Sequence, residues 1–216
     1  MKQKSIKFAM AITAITLLFI AGCKKDELPS TTKEVSRPTI TLLGNPVVIL
    51  NVGDTYVDQG ATYYDSLYGD NGSITTTTEV STTEEGFVIV RYTATNQYGF
   101  EGSGTRLVAV TGASDLLDVS GDYFHATRGG TAVVSKVGRG VFVSDNVSGG
   151  AAGSSDAYFM LTSDSTMVMP AQFLTNNGVS ASFNTVSYDF TALPPTYSYK
   201  ISAAGFGTGL RSFEKQ

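Results

Sequence analysis

Cys23 and His125 are the only cysteine and the only histidine in the chain, and each limits the chemistry open to it. A Ser-His-Asp or Cys-His site needs an imidazole. The one available lies between Phe124 and Ala126, in an expected strand where it should face solvent. No Gly-x-Ser-x-Gly elbow precedes a helix, and Gly153-Ser154-Ser155 falls in a glycine-rich loop. One histidine and one cysteine cannot supply the usual zinc ligands. Calcium wants several oxygens from one turn, which Asp65, Asp70 and Asn71 offer, though not at EF-hand spacing, and the same residues build ordinary turns. Glycoside hydrolysis needs two carboxylates across one cleft. The acids of residues 119–216 (Asp122, Asp145, Asp156, Asp164, Asp189 and Glu214) fall mostly near turns, where such groups are solvated or capping. No catalytic residue, metal site or cofactor is expected.

Non-covalent recognition of sugars remains. It needs flat aromatic faces for sugar C–H surfaces, with carboxylates and amides reading hydroxyls. The chain has no tryptophan. Tyrosines can serve, and Tyr63, Tyr64, Tyr68 and Tyr98 cannot all enter one small core; neighbours in a strand such as Tyr63 and Tyr64 point to opposite faces. Tyr64, Tyr68, Asp70 and Tyr158 are the candidate ligand-binding residues. Half-buried strand positions are the commoner place for such rings, and Tyr158, Phe173, Tyr188, Tyr197 and Tyr199 in the second half carry the same ambiguity between core and platform.

Cys23 ends Ile20-Ala21-Gly22-Cys23, after a basic start (Lys2, Lys4, Lys7) and the apolar run Phe8 to Ala21. This is the layout of a secretory signal peptide over residues 1–22. Its apolar run falls short of the ~20 residues a membrane-spanning helix needs. The junction resembles the bacterial lipobox, which implies acylation of the Cys23 sulfur and cleavage just before it. Several acyl chains give stable membrane attachment. A lone cysteine in an exported chain makes no internal disulfide. Residues 23–37 then read as lipidated cysteine and polar tether. Lys24-Lys25-Asp26-Glu27 resembles the export signal that sends Bacteroidota lipoproteins to the outer face of the outer membrane.

Losing residues 1–22 removes three lysines and no acid, moving the formal charge from -4 to about -7. Clustered basic residues, which phosphate backbones require, are absent, so nucleic acid is excluded as a partner. Gly, Ser and Thr are plentiful, and short Val, Ile, Tyr and Phe alternations are split by glycines. This is all-β composition with almost no helix.

Residues 38–111 read as a first β module. In Gly86 to Thr95, the residues Val88, Val90, Tyr92 and Ala94 share a core face, and Arg91, Thr93 and Thr95 face away. Asn96-Gln97-Tyr98-Gly99 turns into a strand through Arg106 to Val110. Val52-Gly53-Asp54-Thr55-Tyr56-Val57-Asp58-Gln59-Gly60-Ala61, with Asp65 and the Gly86 to Gly99 hairpin, resembles an immunoglobulin-like repeat of bacterial surface proteins that is also found in pesticidal crystal proteins. The resemblance implies a seven-stranded sandwich without disulfide, used as spacer or adhesive unit. Asp65-Ser66-Leu67 and Asp164-Ser165-Thr166 resemble the Bacteroidota O-glycosylation pattern, with Ser66 and Ser165 as acceptors.

Residues 112–119 form a join whose flexible part is Gly112-Ala113-Ser114. Residues 119–216 read as a second antiparallel β domain of about eight short strands, a meander or barrel in preference to a second sandwich. Gly121-Asp122-Tyr123, Val137 to Phe142 and Gly205-Phe206-Gly207-Thr208-Gly209 resemble the C-terminal domain of uncharacterised Bacteroidota lipoproteins. The expectation is a non-catalytic binding or display protein, anchored in the outer membrane by lipid and facing outward, with polysaccharide or an outer-membrane uptake complex as partner. A structural or adhesive protein contacting another envelope protein is the alternative, and a glycoside hydrolase the third.

Overall fold

The computed structural model describes residues 34–153, 155–163 and 165–216. The expected signal peptide, Cys23 and the part of the expected tether up to Lys33 lie outside the described residues, as do Ser154 and Asp164. The described residues form fifteen strands and no helix.

The first six strands make a sandwich of two three-stranded sheets. One holds β1 (Thr39–Leu42), β3 (Ala61–Tyr64) and β4 (Asn71–Ile74) in the order β1-β3-β4. The other holds β2 (Val47–Leu50), β6 (Glu101–Val110) and β5 (Gly86–Thr95) in the order β2-β6-β5, with β2 running parallel to β6. The count is therefore six strands among the described residues, where seven were expected. Val90, Tyr92 and Val108 fill the space between the sheets with Ala61, and Val88, Ile40 and Ile74 pack against them.

At one end of this sandwich, Arg106 is 1% exposed. Its guanidinium donates to the Asp58 carboxylate, to Tyr92 Oη at 2.7 Å and to the carbonyls of Asn45 (3.1 Å), Leu43 and Gly60 (3.3 Å). A planar fork of donors can serve several loop carbonyls at once. Burial alone would push the Asp58 carboxyl up, but hydrogen bonds from Tyr92, Tyr56 and the Gly60 N–H, with the Arg106 charge, hold it below the usual carboxylate range.

The remaining strands form one antiparallel nine-stranded sheet, in the order β11-β10-β9-β8-β7-β15-β14-β13-β12. These are β7 (Gly121–His125), β8 (Gly130–Gly138), β9 (Val141–Ser144), β10 (Ala157–Leu161), β11 (Met167–Val168), β12 (Gln172–Leu174), β13 (Val179–Asp189), β14 (Thr196–Ser202) and β15 (Leu210–Lys215). The sheet curls into a half-barrel whose edge strands β11 and β12 are consecutive in the chain. The buried Gln172 side chain bridges toward β10, where its Oε1 accepts the Tyr158 N–H at 2.8 Å and its Nε2 donates to the Tyr158 carbonyl at 3.0 Å. A side-chain amide thus does there what a neighbouring backbone would do.

Inside the curl, aromatic rings pack face to face and edge to face. The Tyr197 ring lies 4.7 Å from Phe213 and 4.9 Å from Tyr123, and Phe142 lies 5.4 Å from Phe159. Buried hydroxyls need partners. Tyr123 Oη donates to the Val119 carbonyl at 2.8 Å, and Tyr199 Oη to the Val147 carbonyl at 2.9 Å.

The join between sandwich and curled sheet is packed rather than flexible. Gly112 N donates to the Glu85 carboxylate, which also takes Ser163 N at 3.0 Å and Ser163 Oγ at 2.7 Å. Buried Thr111 donates to the Leu161 carbonyl at 3.0 Å, and Ala113 is buried. Phe87, Leu107 and Ala109 of the sandwich meet Val141 and Met160 of the curled sheet in a shared apolar cluster, with Val47, Ile49 and Ile89 against it. Contact is close: a Cβ on Gly138 would come within 2.3 Å of Ile49 Cδ1.

Candidate functional site

The outer face of β5 and β6 changes character along its length. Register pairs Phe87 with Ala109, Ile89 with Leu107 and Arg91 with Thr105. The first two pairs are apolar and covered by the curled sheet. Arg91 and Thr105 are exposed, and there the two bodies part to leave a cleft. Its walls are Ile89, Thr105 and Leu107 on one side and Asp156, Tyr158, Gln172, Phe173, Thr175 and Asn176 on the other, around a cavity of about 160 Å³. A neighbouring hollow of about 210 Å³ continues along Arg91, Phe173, Ala171 and Ser180.

Phe173 is 44% exposed beside this cleft, with the Arg91 guanidinium 5.8 Å from its ring centroid. Arg91 also pairs with Glu101 at 3.0 Å. Alternation on β12 sends Gln172 and Leu174 inward and Phe173 outward. The cleft therefore combines an accessible ring, a half-buried tyrosine, and amide, hydroxyl, carboxylate and guanidinium groups. That set suits a small polar ligand carrying apolar patches.

The sequence-derived candidates fall in two places. Tyr158 lines the cleft. Tyr64, Tyr68 and Asp70 sit together at the far tip of the sandwich, on and after β3. The buried Asp65 organises that tip, its Oδ1 accepting the N–H groups of Leu67 (3.0 Å) and Tyr68 (3.2 Å), and its Oδ2 accepting Asn96 Nδ2 at 2.9 Å. Burial pushes its carboxyl up, but these bonds and one from Ser36 hold it below the usual range. Both Asp65 oxygens are thus committed to protein donors, so the Asp65-Asp70-Asn71 loop is a hydrogen-bonded turn. No group of three or more His, Cys, Asp or Glu residues among the described residues could hold a metal ion. Ser66 is exposed in the same loop, and Ser165 is half-buried in a turn with φ of 66°.

Phe173, Gln172, Asn176, Arg91 and Thr105 join Tyr158 and its near neighbour Asp156 through contacts between strands. Phe173 stood among the ambiguous aromatics and Asp156 among the acids weighed for hydrolysis, and nothing local marked the others. The larger hollow of about 400 Å³ near Tyr56, Val57 and Arg106 is less suited to a ligand, since the Arg106 guanidinium is spent on Asp58, Tyr92 and loop carbonyls.

His125 departs from expectation: it is 4% exposed, not solvent-facing. Its ring lies edge-on to Phe213 at 5.1 Å, and neither ring nitrogen has a hydrogen-bond partner among the described residues. Gly149, with φ of 71°, leaves it room; a Cβ there would fall 2.2 Å from His125 Cδ2. Burial, then the charges of Arg128 and Arg211, push its pKa below 6.5. A group depressed in this way stabilises the fold fully above its unfolded pKa, and that contribution is lost as pH falls through the folded value. The unfolding temperature is therefore expected to drop as pH is lowered from 6.5. Asp58 and Asp65 add their losses only below about 3.8. His125→Phe, which strands no polar partner, is expected to flatten the curve between pH 6.5 and about 4.5 in calorimetric scans; an unchanged slope would assign the effect elsewhere.

The sandwich has relatives. Residues 40–110 match the family profile of the bacterial surface protein, Ig-like domain. This segment carries an Ig-like surface domain. No curated protein matches the chain. Among solved structures, the chain is similar to the lipoprotein BT2262 from Bacteroides thetaiotaomicron, at 20% identity and a TM-score of 0.38, over 83% of this chain and 100% of that one.

Proposed function

We propose that this is a non-catalytic binding protein, held at the outer membrane by lipid on Cys23 and facing outward, which captures a glycan between its Ig-like domain and its curled sheet. The observation that carries the reading is the two-walled cleft. Phe173 and Tyr158 offer ring faces to sugar C–H surfaces, while Asp156, Asn176, Thr175 and Thr105 offer groups for hydroxyls. The absence of a catalytic role is supported by His125, the sole imidazole, which is enclosed by Phe213 and the Gly149 loop. The Ile20-Ala21-Gly22-Cys23 junction supports the anchor.

The test is calorimetric titration of detergent-solubilised full-length protein against a panel of polysaccharides. At least one is expected to bind, and Phe173→Ala to weaken it about tenfold, equivalent to about 1.4 kcal/mol. Phe173 is largely outside the core, so the variant should fold normally. Lack of binding by any glycan, with a specific envelope protein recovered by pull-down instead, would replace this reading with an adhesive or structural one.

A further inference from the structure

The chain enters the Ig-like domain at its tip. Arg37 Nη1 donates to the Glu101 carbonyl at 2.9 Å, with its guanidinium 5.8 Å from the Phe100 ring centroid. Asn96 Nδ2 reaches the Ser36 carbonyl at 3.0 Å and Asp65 at 2.9 Å, tying this entry point to the loops at 65–70 and 96–100. Those loops carry the domain's aromatic cluster. Tyr64, Leu67 and Tyr98 are 55%, 41% and 49% exposed, and the Tyr68 ring lies 4.4 Å from that of Tyr98. Large apolar side chains therefore gather around the place where the N-terminal segment joins the domain.

We infer that this tip is a lipid-contacting face, resting at the headgroup–acyl boundary of the membrane that holds Cys23; the inference relies on the lipid anchor proposed above. Tyrosine suits that boundary, since its ring is apolar and its hydroxyl seeks water or headgroups. Leu67 adds an aliphatic contact beside the rings. Fourteen residues lie between Cys23 and Pro38, a span of at most about 50 Å, so the anchor keeps this entry point within that distance of the bilayer. Tethering raises the local concentration of membrane surface, so a contact too weak to recruit a free protein can be populated. The charged groups nearby are partly neutralised, Glu101 by Arg91 at 3.0 Å. Arg91 and Thr105 sit farther along the same strands, which keeps the glycan cleft clear of the lipid.

With no tryptophan in the chain, single reporters can be placed cleanly. Full-length lipidated protein carrying Tyr98→Trp or Phe173→Trp would be reconstituted into vesicles of phosphatidylethanolamine and phosphatidylglycerol, with and without brominated acyl chains. Tyr98→Trp emission is expected to fall about twofold or more in brominated vesicles, since a ring at the boundary lies within reach of the chains, while Phe173→Trp is unchanged. Unquenched Tyr98→Trp in vesicles that retain the acyl-labelled protein would overturn the tip contact and leave the anchor standing. Failure of Cys23 to take up acyl label in cells would overturn both. Loss of polysaccharide binding in a Tyr64→Ser, Leu67→Ser, Tyr98→Ser triple variant would instead make the patch a glycan platform and also overturn the inference.

Discussion

Arg106→Leu is expected to lower stability by about 3 kcal/mol, because removing one member of a buried ion pair leaves the rest uncompensated. Three carbonyls, those of Leu43, Asn45 and Gly60, lose a donor together with the Asp58 carboxylate and Tyr92 Oη. Asp58 retains some solvent access, so its charge is not fully stranded. For a chain of this size the loss corresponds to roughly 6–12 °C in unfolding temperature. Arg106→Lys is expected to recover little, since an ammonium cannot span carboxylate, hydroxyl and three carbonyls with one planar fork. Thermal unfolding of both variants checks this, and a lysine variant as stable as the parent would refute the account.

Met160→Asp is expected to cost about 4 kcal/mol or more, the range reached by placing an unpaired charge in a dry core. Met160, on β10 of the curled sheet, is fully buried against the sandwich, and its neighbours Phe87, Leu107, Ala109 and Val141 offer a carboxylate nothing. Separating the two bodies is the cheapest way to hydrate it. Calorimetry should then show one unfolding transition becoming two, and the glycan binding proposed above should be lost because the cleft has a wall on each body. Retention of a single transition at an unchanged temperature would mean that the interface contributes little cohesion.

That interface was partly legible in the sequence. Phe87-Val88-Ile89-Val90 and Leu107-Val108-Ala109-Val110 are unbroken apolar runs, which mark strands covered on both faces. Reading β5 only for its alternating face, Val88 to Ala94, found the sandwich core and missed the second cover. Where alternation resumes at Arg91, that cover ends and the cleft opens. Most strands were also readable from short apolar stretches between glycines. One long strand, β13, is interrupted by a bulge between Asn184 and Ser187, with Thr185 at φ of 54°, which no glycine marks. Other features had no local signal. Gln172 serves a strand it does not neighbour in sequence, and Asp65 meets Asn96 across 31 residues. His125 looked polar by type, and its burial depends on Gly149 and Phe213, both distant along the chain.

The position of β15 has a consequence for how the molecule comes into being. It pairs with β7 at Phe124–Glu214 and with β14 on its other side, so the sheet's middle closes only when two strands far apart in sequence meet. Until β15 arrives, β7 has β8 on one side and no strand on the other. Closing such a long loop is slow. Topology alone would thus make the curled sheet the slower of the two to form, whereas the Ig-like sandwich is complete by Val110 and needs no strand from beyond it.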